Sequence, residues 1–338
     1  MAPMTETSRF AAPPRMRSRR LRDGMFVAGL LLLFLVGLGG LAAATGWEET
    51  LAQLRGLAFA EIALLLLLSL VNYLLRGTRW HIFTRTLGIP TTLVQDLRHF
   101  IGGFAMTVTP GRVGELIRMR WLSRETGWSA ERTAPLVLVD RAADLATMAI
   151  LLGAALALST AGISGALPIA ILALLAAYIA THPRLLAWCV TQTYRGLGRW
   201  PRVFGRIRQS VRALRHFTRP AVLAPALALG AAGWLAEGLA FHLLLVWMGA
   251  DIGFWTALGI FVFSTLAGGL TGAPGGMGGA EAAMIALLKL QGIPLEISVP
   301  ATAVIRLTTL WFAILLGLLV LPLAERTSKR AAIDVENR

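Results

Sequence analysis

Apolar residues in this chain gather into long, nearly unbroken runs: Met25–Thr45, Leu57–Leu75, Leu136–Ser159, Ile163–Ala180, Ala221–Met248 and Val299–Leu323. Each meets or approaches the roughly 20 residues that cross a hydrocarbon core as helix. The ~10-residue alternating segments of a transmembrane β-barrel are absent from the pattern. Two further stretches break the rule. Leu93–Thr109 is apolar, but the GRVGELIRMRWLSRET segment that overlaps its tip carries four arginines and two glutamates in 16 residues, too many charges to lie against lipid. This predicts a re-entrant hairpin over 91–132 with its tip at Thr109, Pro110 and Gly111. A second is predicted over 253–295, with its tip at Gly272–Gly276, including Pro274 and Gly275. Broken helices persist at membrane depth where protein or water satisfies the freed backbone groups, and helices starting at such tips aim N–H groups into the gap. A third pattern, over 197–217, sets Leu197, Trp200, Phe204, Ile207, Val211, Leu214 and Phe217 at helical spacing among six arginines. It predicts a basic amphipathic helix on an anionic membrane surface, or a determinant of topology alone.

Composition agrees. Of 338 residues, 56% are apolar and 15% charged, with mean hydropathy +0.67; soluble domains carry about a quarter charged residues. The fold class expected is all-α: a polytopic transmembrane helical bundle. A formal charge of +14 would suggest nucleic acid in a soluble protein. Here the arginines fill the gaps between runs, so no nucleic-acid partner is expected. Six arginines precede the first run, Arg76, Arg79, Arg85 and Arg98 follow the second, and nine lie between Arg184 and Arg219, where no acidic residue occurs. The Trp47–Gly56 loop instead holds Glu48 and Glu49 with Arg55, and the turn near Asp251 has no basic residue. Because basic loops stay cytoplasmic, both termini, the 76–98 region and the 182–220 loop are expected inside. The first run is longer than a signal-peptide core and is followed by further spans, so it reads as an uncleaved helix. The lone Cys189 excludes a disulfide framework. The five histidines show no metal-ligand spacing, so no metal and no cofactor is expected.

Charge then uncovers a repeat. At an offset of 165, Gly127, Glu131, Pro135, Arg141 and Leu145 coincide with Gly292, Glu296, Pro300, Arg306 and Leu310. Just upstream, Pro110, Gly111 and Gly114 match Pro274, Gly275 and Gly278 at an offset of 164. The loop charges run 57–75 from outside to inside and 221–248 from inside to outside. The expected architecture is therefore an inverted repeat with two re-entrant helical hairpins. Its parts are a basic cytoplasmic tail (1–24), one transmembrane domain (25–325) and a cytoplasmic C-terminal tail (326–338). Within the domain, repeat one covers about 57–160 and repeat two about 221–324. Such repeats place a substrate site at their interface in secondary transporters.

The candidate chemistry is a set of charges inside the spans. In VDRAADLA, Asp140, Arg141 and Asp144 fall within about one helical turn. Arg306 stands in an apolar span and needs a counter-charge or an anionic ligand; Glu281 is the expected partner, as Glu115 is for Arg141. Glu237 and His242 are weaker candidates. These groups read equally as salt bridges that hold hairpins to spans.

The motifs TPGRVGELIR, LVLVDRAADL, GAPGGMGGAEAAM and AVIRLTTLW resemble the lysylphosphatidylglycerol synthase transmembrane, or flippase-like, family over about residues 25–325. The resemblance is to the N-terminal flippase domain of the multiple peptide resistance factor, which moves aminoacylated phosphatidylglycerol between leaflets. It implies an inner-membrane lipid transporter for an anionic, aminoacylated, glyco- or isoprenoid lipid. It also implies a substrate site drawn from Arg112, Glu115, Asp140, Arg141, Glu281 and Arg306, to which the charge pattern adds Asp144. Residues 325–338 are too few for a synthetase, so the synthase part of the family's name is not carried over. Expected partners are membrane lipids with anionic or isoprenoid headgroups, and a lipid-modifying enzyme or glycosyltransferase. No catalytic residue is expected, since no activated nucleophile is visible. The alternatives are a polyprenyl-pyrophosphate phosphatase-like enzyme, which would carry Ser-Arg after the PG and a clustered glutamate motif, and a non-transporting accessory scaffold.

Overall fold

Four of the apolar runs appear in the computed structural model as helices long and apolar enough to cross a membrane: Phe59–Thr86, Arg132–Leu158, Pro220–Trp247 and Leu295–Ile333. The structure describes residues 47–109, 114–159 and 219–336, with scattered positions between 28 and 40 and between 167 and 217. About half of the run at 25–45, most of the run at 163–180, the basic helix expected over 197–217 apart from Phe217, the N-terminal tail, Cys189 and the Pro110–Gly111–Arg112 tip lie outside the described residues, as does the side chain of Glu115. Every element among the described residues is helical.

In chain order these are α1 (Trp47–Gly56), α2 (Phe59–Thr86), α3 (Leu93–Gly103) running into a 3-10 turn (Phe104–Val108), α4 (Gly114–Thr126), α5 (Ala130–Leu158), α6 (Pro220–Trp247), α7 (Phe254–Leu270), a 3-10 turn (Pro274–Gly276), α8 (Gly279–Leu290), α9 (Leu295–Arg306), a π turn (Leu307–Trp311) and α10 (Phe312–Glu336). The succession of long helix, helix broken at a tip, short helix and long helix thus occurs twice. Its punctuation recurs as well. Gly88 and Gly249 end the first helix of each series at φ 79° and 84°, and Gly127 and Gly292 end the short helix at φ 73° and 81°. A side chain at any of the four would be strained.

Both hairpins fold back on themselves. On α3, a Cβ at Gly102 would meet Trp121 and one at Gly103 would meet Arg118, while Arg98 pairs with Glu125 at 2.7 Å. Numbering therefore rises on one arm as it falls on the other. Thr92 and Gln95 cap the α3 N-terminus reciprocally, satisfying donors that a helix start leaves open. In the second hairpin, Gly268 lies against Ala280 and Gly279 against Thr271. The 3-10 turn of the first hairpin meets the tip of the second: the Cβ position of Gly275 lies 3.6 Å from the Thr107 side chain.

Small residues bring the long helices close, as is usual where lipid supplies no hydrophobic drive between helices. On α6, Gly230 sits against Arg79 and Thr147, Gly233 against Asn72, and Gly238 against Leu258. The neighbours of Gly230 and Gly233 place α6 antiparallel to α2. On α10, a Cβ at Gly317 would lie 2.2 Å from the Ala105 backbone nitrogen, so the first hairpin's 3-10 turn rests directly on that helix.

Three expectations change. The Trp47–Gly56 loop is a helix. Helix α2 continues past Leu75 to Thr86, so Arg76 and Arg79 are interior groups, 9% and 0% exposed, rather than loop charges. The C-terminal tail expected at 326–338 is helical to Glu336. The 39 residues of Leu295–Ile333 reach about 58 Å at 1.5 Å per residue, well beyond the ~30 Å hydrocarbon core. Their far end packs on the base of the first hairpin, where Glu325 accepts from Trp121 at 2.7 Å and from Arg124 at 2.8 Å.

Candidate functional site

Two helical spacings meet in the middle of the fold. On α5, Asp140 and Asp144 are four residues apart; on α2, Arg76 and Arg79 are three apart. Each pair shares one face of its helix, and the faces oppose. Arg79 Nη2 donates to Asp140 Oδ1 at 2.5 Å and to Asp144 Oδ1 at 2.7 Å, while its Nε reaches Asp140 Oδ1 at 3.1 Å. Arg76 Nη2 donates to Asp144 Oδ2 at 2.6 Å. Arg141, next along α5, approaches Asp140 at 3.2 Å and Asp144 at 3.5 Å. Three guanidiniums thus share two carboxylates. Buried charges persist only when paired and hydrogen-bonded, and this network pairs them with cationic surplus. Arg76 also stacks over Trp234, 5.0 Å from the ring centroid.

Arg306 closes α9 opposite this cluster. Its Nε donates to Glu281 Oε1 at 2.6 Å and its Nη2 to the Gly275 carbonyl at 2.7 Å. One side chain therefore ties the second hairpin's tip to the long helix. That tip has Gly275 and Gly276 at φ 60° and 69°, a conformation closed to most residues. The π turn begins immediately after Arg306; such turns insert a residue and re-aim side chains, frequently at functional sites. The Tyr73 hydroxyl donates to the carbonyl of Thr309 within it, which stitches α2 to the irregular backbone. Arg118 of α4 is 4% exposed and lies over the Phe100 ring at 4.2 Å.

These groups surround a cavity of about 520 Å³. The polar side chains that line it include Arg76, Arg118, Arg141, Arg306, Asp144, Glu237 and Tyr73. The apolar ones include Leu145, Met148, Leu172, Phe261, Leu266 and Leu270. Leu172 and Leu270 are also exposed on the outer surface, at 55% and 68%, so the cavity reaches the surface beside these two apolar side chains. Concavities of this size, largely apolar with a few convergent polar groups, are where small ligands bind.

Of the residues singled out from sequence, Arg141, Asp144, Arg306 and Gly275 line the cavity, as does Glu237. Asp140 and Glu281 stand behind the arginines they pair with, and Pro274 lies in the tip. The expected Glu281–Arg306 pair is present. For Arg141, the described partners are Asp140 and Asp144. His242 packs against Phe254 instead. Arg76, Arg79, Arg118 and Tyr73 were missed. The signal for the first two was their spacing of three against the aspartates' spacing of four, which becomes informative once α2 is read as extending past its apolar run.

A family model described as "Lysylphosphatidylglycerol synthase TM region" matches residues 24–317. The chain is also similar to two UPF0104 membrane proteins of Methanothermobacter thermautotrophicus. It is 29% identical to one over 89 residues and 32% identical to the other over 84 residues. The matches cover 26% and 25% of this chain and the same shares of the relatives, so the chain spans about a quarter of the length of the curated proteins it matches.

Proposed function

Since the chain belongs to the lysylphosphatidylglycerol synthase transmembrane family, we propose that it is a lipid transporter that moves an anionic, aminoacylated, glyco- or isoprenoid lipid between leaflets of a cell's inner membrane. The observation that carries this reading is a single cavity lined by four arginines against two carboxylates together with a larger set of apolar side chains, two of which, Leu172 and Leu270, are also exposed at the surface. Guanidiniums in a low-dielectric site bind phosphate oxygens through charge-assisted, often bidentate hydrogen bonds. Acyl chains leaving past Leu270 and Leu172 remain in the bilayer while the headgroup sits among the arginines. In this reading the two helical series are inverted repeats. The hairpin tips then approach from opposite faces, and the site lies at the repeat interface, as in other secondary transporters. Both termini face the cytoplasm, by the arginine distribution.

The test is reconstitution into liposomes carrying fluorescent phosphatidylglycerol, with leaflet exchange followed by quenching of the outer label. The wild-type protein accelerates exchange. Arg306→Ala, folded by size-exclusion and circular dichroism, lowers the rate about tenfold or more, the equivalent of one charge-assisted hydrogen bond. Absence of acceleration for anionic and isoprenoid lipids alike removes the transport reading.

A further inference from the structure

Four carboxylates stand around the cavity, and three of them are committed. Asp140 and Asp144 are paired with Arg76, Arg79 and Arg141, and Glu281 with Arg306. Glu237 of α6 lines the cavity, is 4% exposed, and forms no ion pair with an arginine among the described residues. We propose that Glu237 is the proton-coupling group of the site, taking up one proton as an anionic phosphodiester headgroup binds and releasing it as that headgroup leaves. The inference rests on the lipid-site reading above and adds an energy source to it.

The charges that face Glu237 come from every side. Helix α2 presents Arg76, Tyr73 and the buried amide of Asn72; α5 presents Asp144 and Arg141; α9 presents Arg306; α4 contributes Arg118 across the cavity. Helix α7 packs on α6 and carries no titratable side chain, and His242, further along α6, faces Phe254. The ionised carboxylate therefore sits in the field of the arginines that would hold a phosphate. An arriving phosphodiester brings a second negative charge to those arginines. Like charges confined in a water-poor site disfavour each other's ionised forms, so the headgroup and the Glu237 charge compete. A proton on Glu237 removes the competition: the carboxylate becomes a carboxylic acid, no other bond changes, and the net charge of the occupied site equals that of the empty one. A proton gradient then acts on headgroup movement through this one group.

The measurement is calorimetric titration of the full-length detergent-solubilised protein with dihexanoyl phosphatidylglycerol, in buffers of differing ionisation enthalpy. The wild-type protein takes up about one proton per lipid bound, and its affinity falls about tenfold per pH unit on the alkaline side. Glu237→Gln, an isostere of the protonated acid, binds with no proton uptake and no such pH dependence. Binding by the wild type without proton uptake overturns the proposal, and because that readout needs no variant it stands even where Glu237→Gln fails to fold. Uptake retained in Glu237→Gln overturns it as well. Failure of the wild type to bind the probe is a separate result, which sinks the anionic-headgroup reading and this inference together.

Discussion

At the scale of single residues, Arg79 shows how membrane burial turns a charge into a fastener. It has no exposed surface and bonds both Asp140 and Asp144, joining α2 to α5. Its removal would strand Asp140 in the interior with its shortest contact gone. Breaking one partner of a buried ion pair costs about 3–5 kcal/mol, so Arg79→Ala is expected to lower stability by that amount in a denaturant or thermal unfolding assay. Arg79→Lys restores little, because one ammonium lacks the planar fork that reaches two carboxylates. The pair Arg79→Met with Asp140→Leu recovers part of the loss, since the stranded carboxylate is removed with its partner while Asp144 keeps Arg76 and Arg141. Arg141 differs in kind. Its side chain is 27% exposed, its contacts to Asp140 and Asp144 are longer, and it lines the cavity.

At the scale of elements, backbone proximity decides how the hairpins seat. A Cβ on Gly317 would lie 2.2 Å from the Ala105 nitrogen and 2.8 Å from the Phe104 carbonyl carbon. Both are backbone atoms that cannot rotate away. Gly317→Ala is therefore expected to displace the first hairpin from α10 and to destabilise the protein by about 1–3 kcal/mol, the usual cost of overpacking. Gly153 of α5, with open space around its Cβ position, is the control. Gly153→Ala is neutral or stabilises by about 0.5–1 kcal/mol through helix propensity, as read by the same unfolding assay. The π turn after Arg306 belongs to this scale as well. Within it the Thr309 carbonyl accepts from the Tyr73 hydroxyl, a contact 236 residues apart in sequence that no local pattern announces.

For the whole molecule, the inverted-repeat proposal has a direct test. Val94 and Leu290 are exposed at hairpin bases, at 73% and 68%. In a Cys189→Ser background, Val94→Cys is expected to react with a membrane-impermeant thiol reagent from the cytoplasmic side and Leu290→Cys from the opposite side, measured in oriented vesicles. Reaction of both from one side removes the inversion. Much of this architecture is legible in sequence because it is written in local terms. Apolar run length marks the spans, and Pro274 with its neighbouring glycines marks a tip through backbone freedom. A spacing of 165 residues between Arg141 and Arg306 is the sequence feature on which the repeat proposal rests. A charge isolated in an apolar helix also advertises that a partner must exist, and for Arg306 the nearby hairpin carboxylate Glu281 was the one found. The tertiary structure decided which arginines are interior. Arg76 and Arg79 follow an apolar run as loop charges do, and only the packing of α2 against α5 and α6 carries the helix inward past Leu75. It also decided that Arg118 and Glu237 share one cavity with Arg141 and Arg306. Sequence periodicity specifies the face on which a side chain lies, whereas the partner that face meets depends on helix packing between segments far apart in the chain.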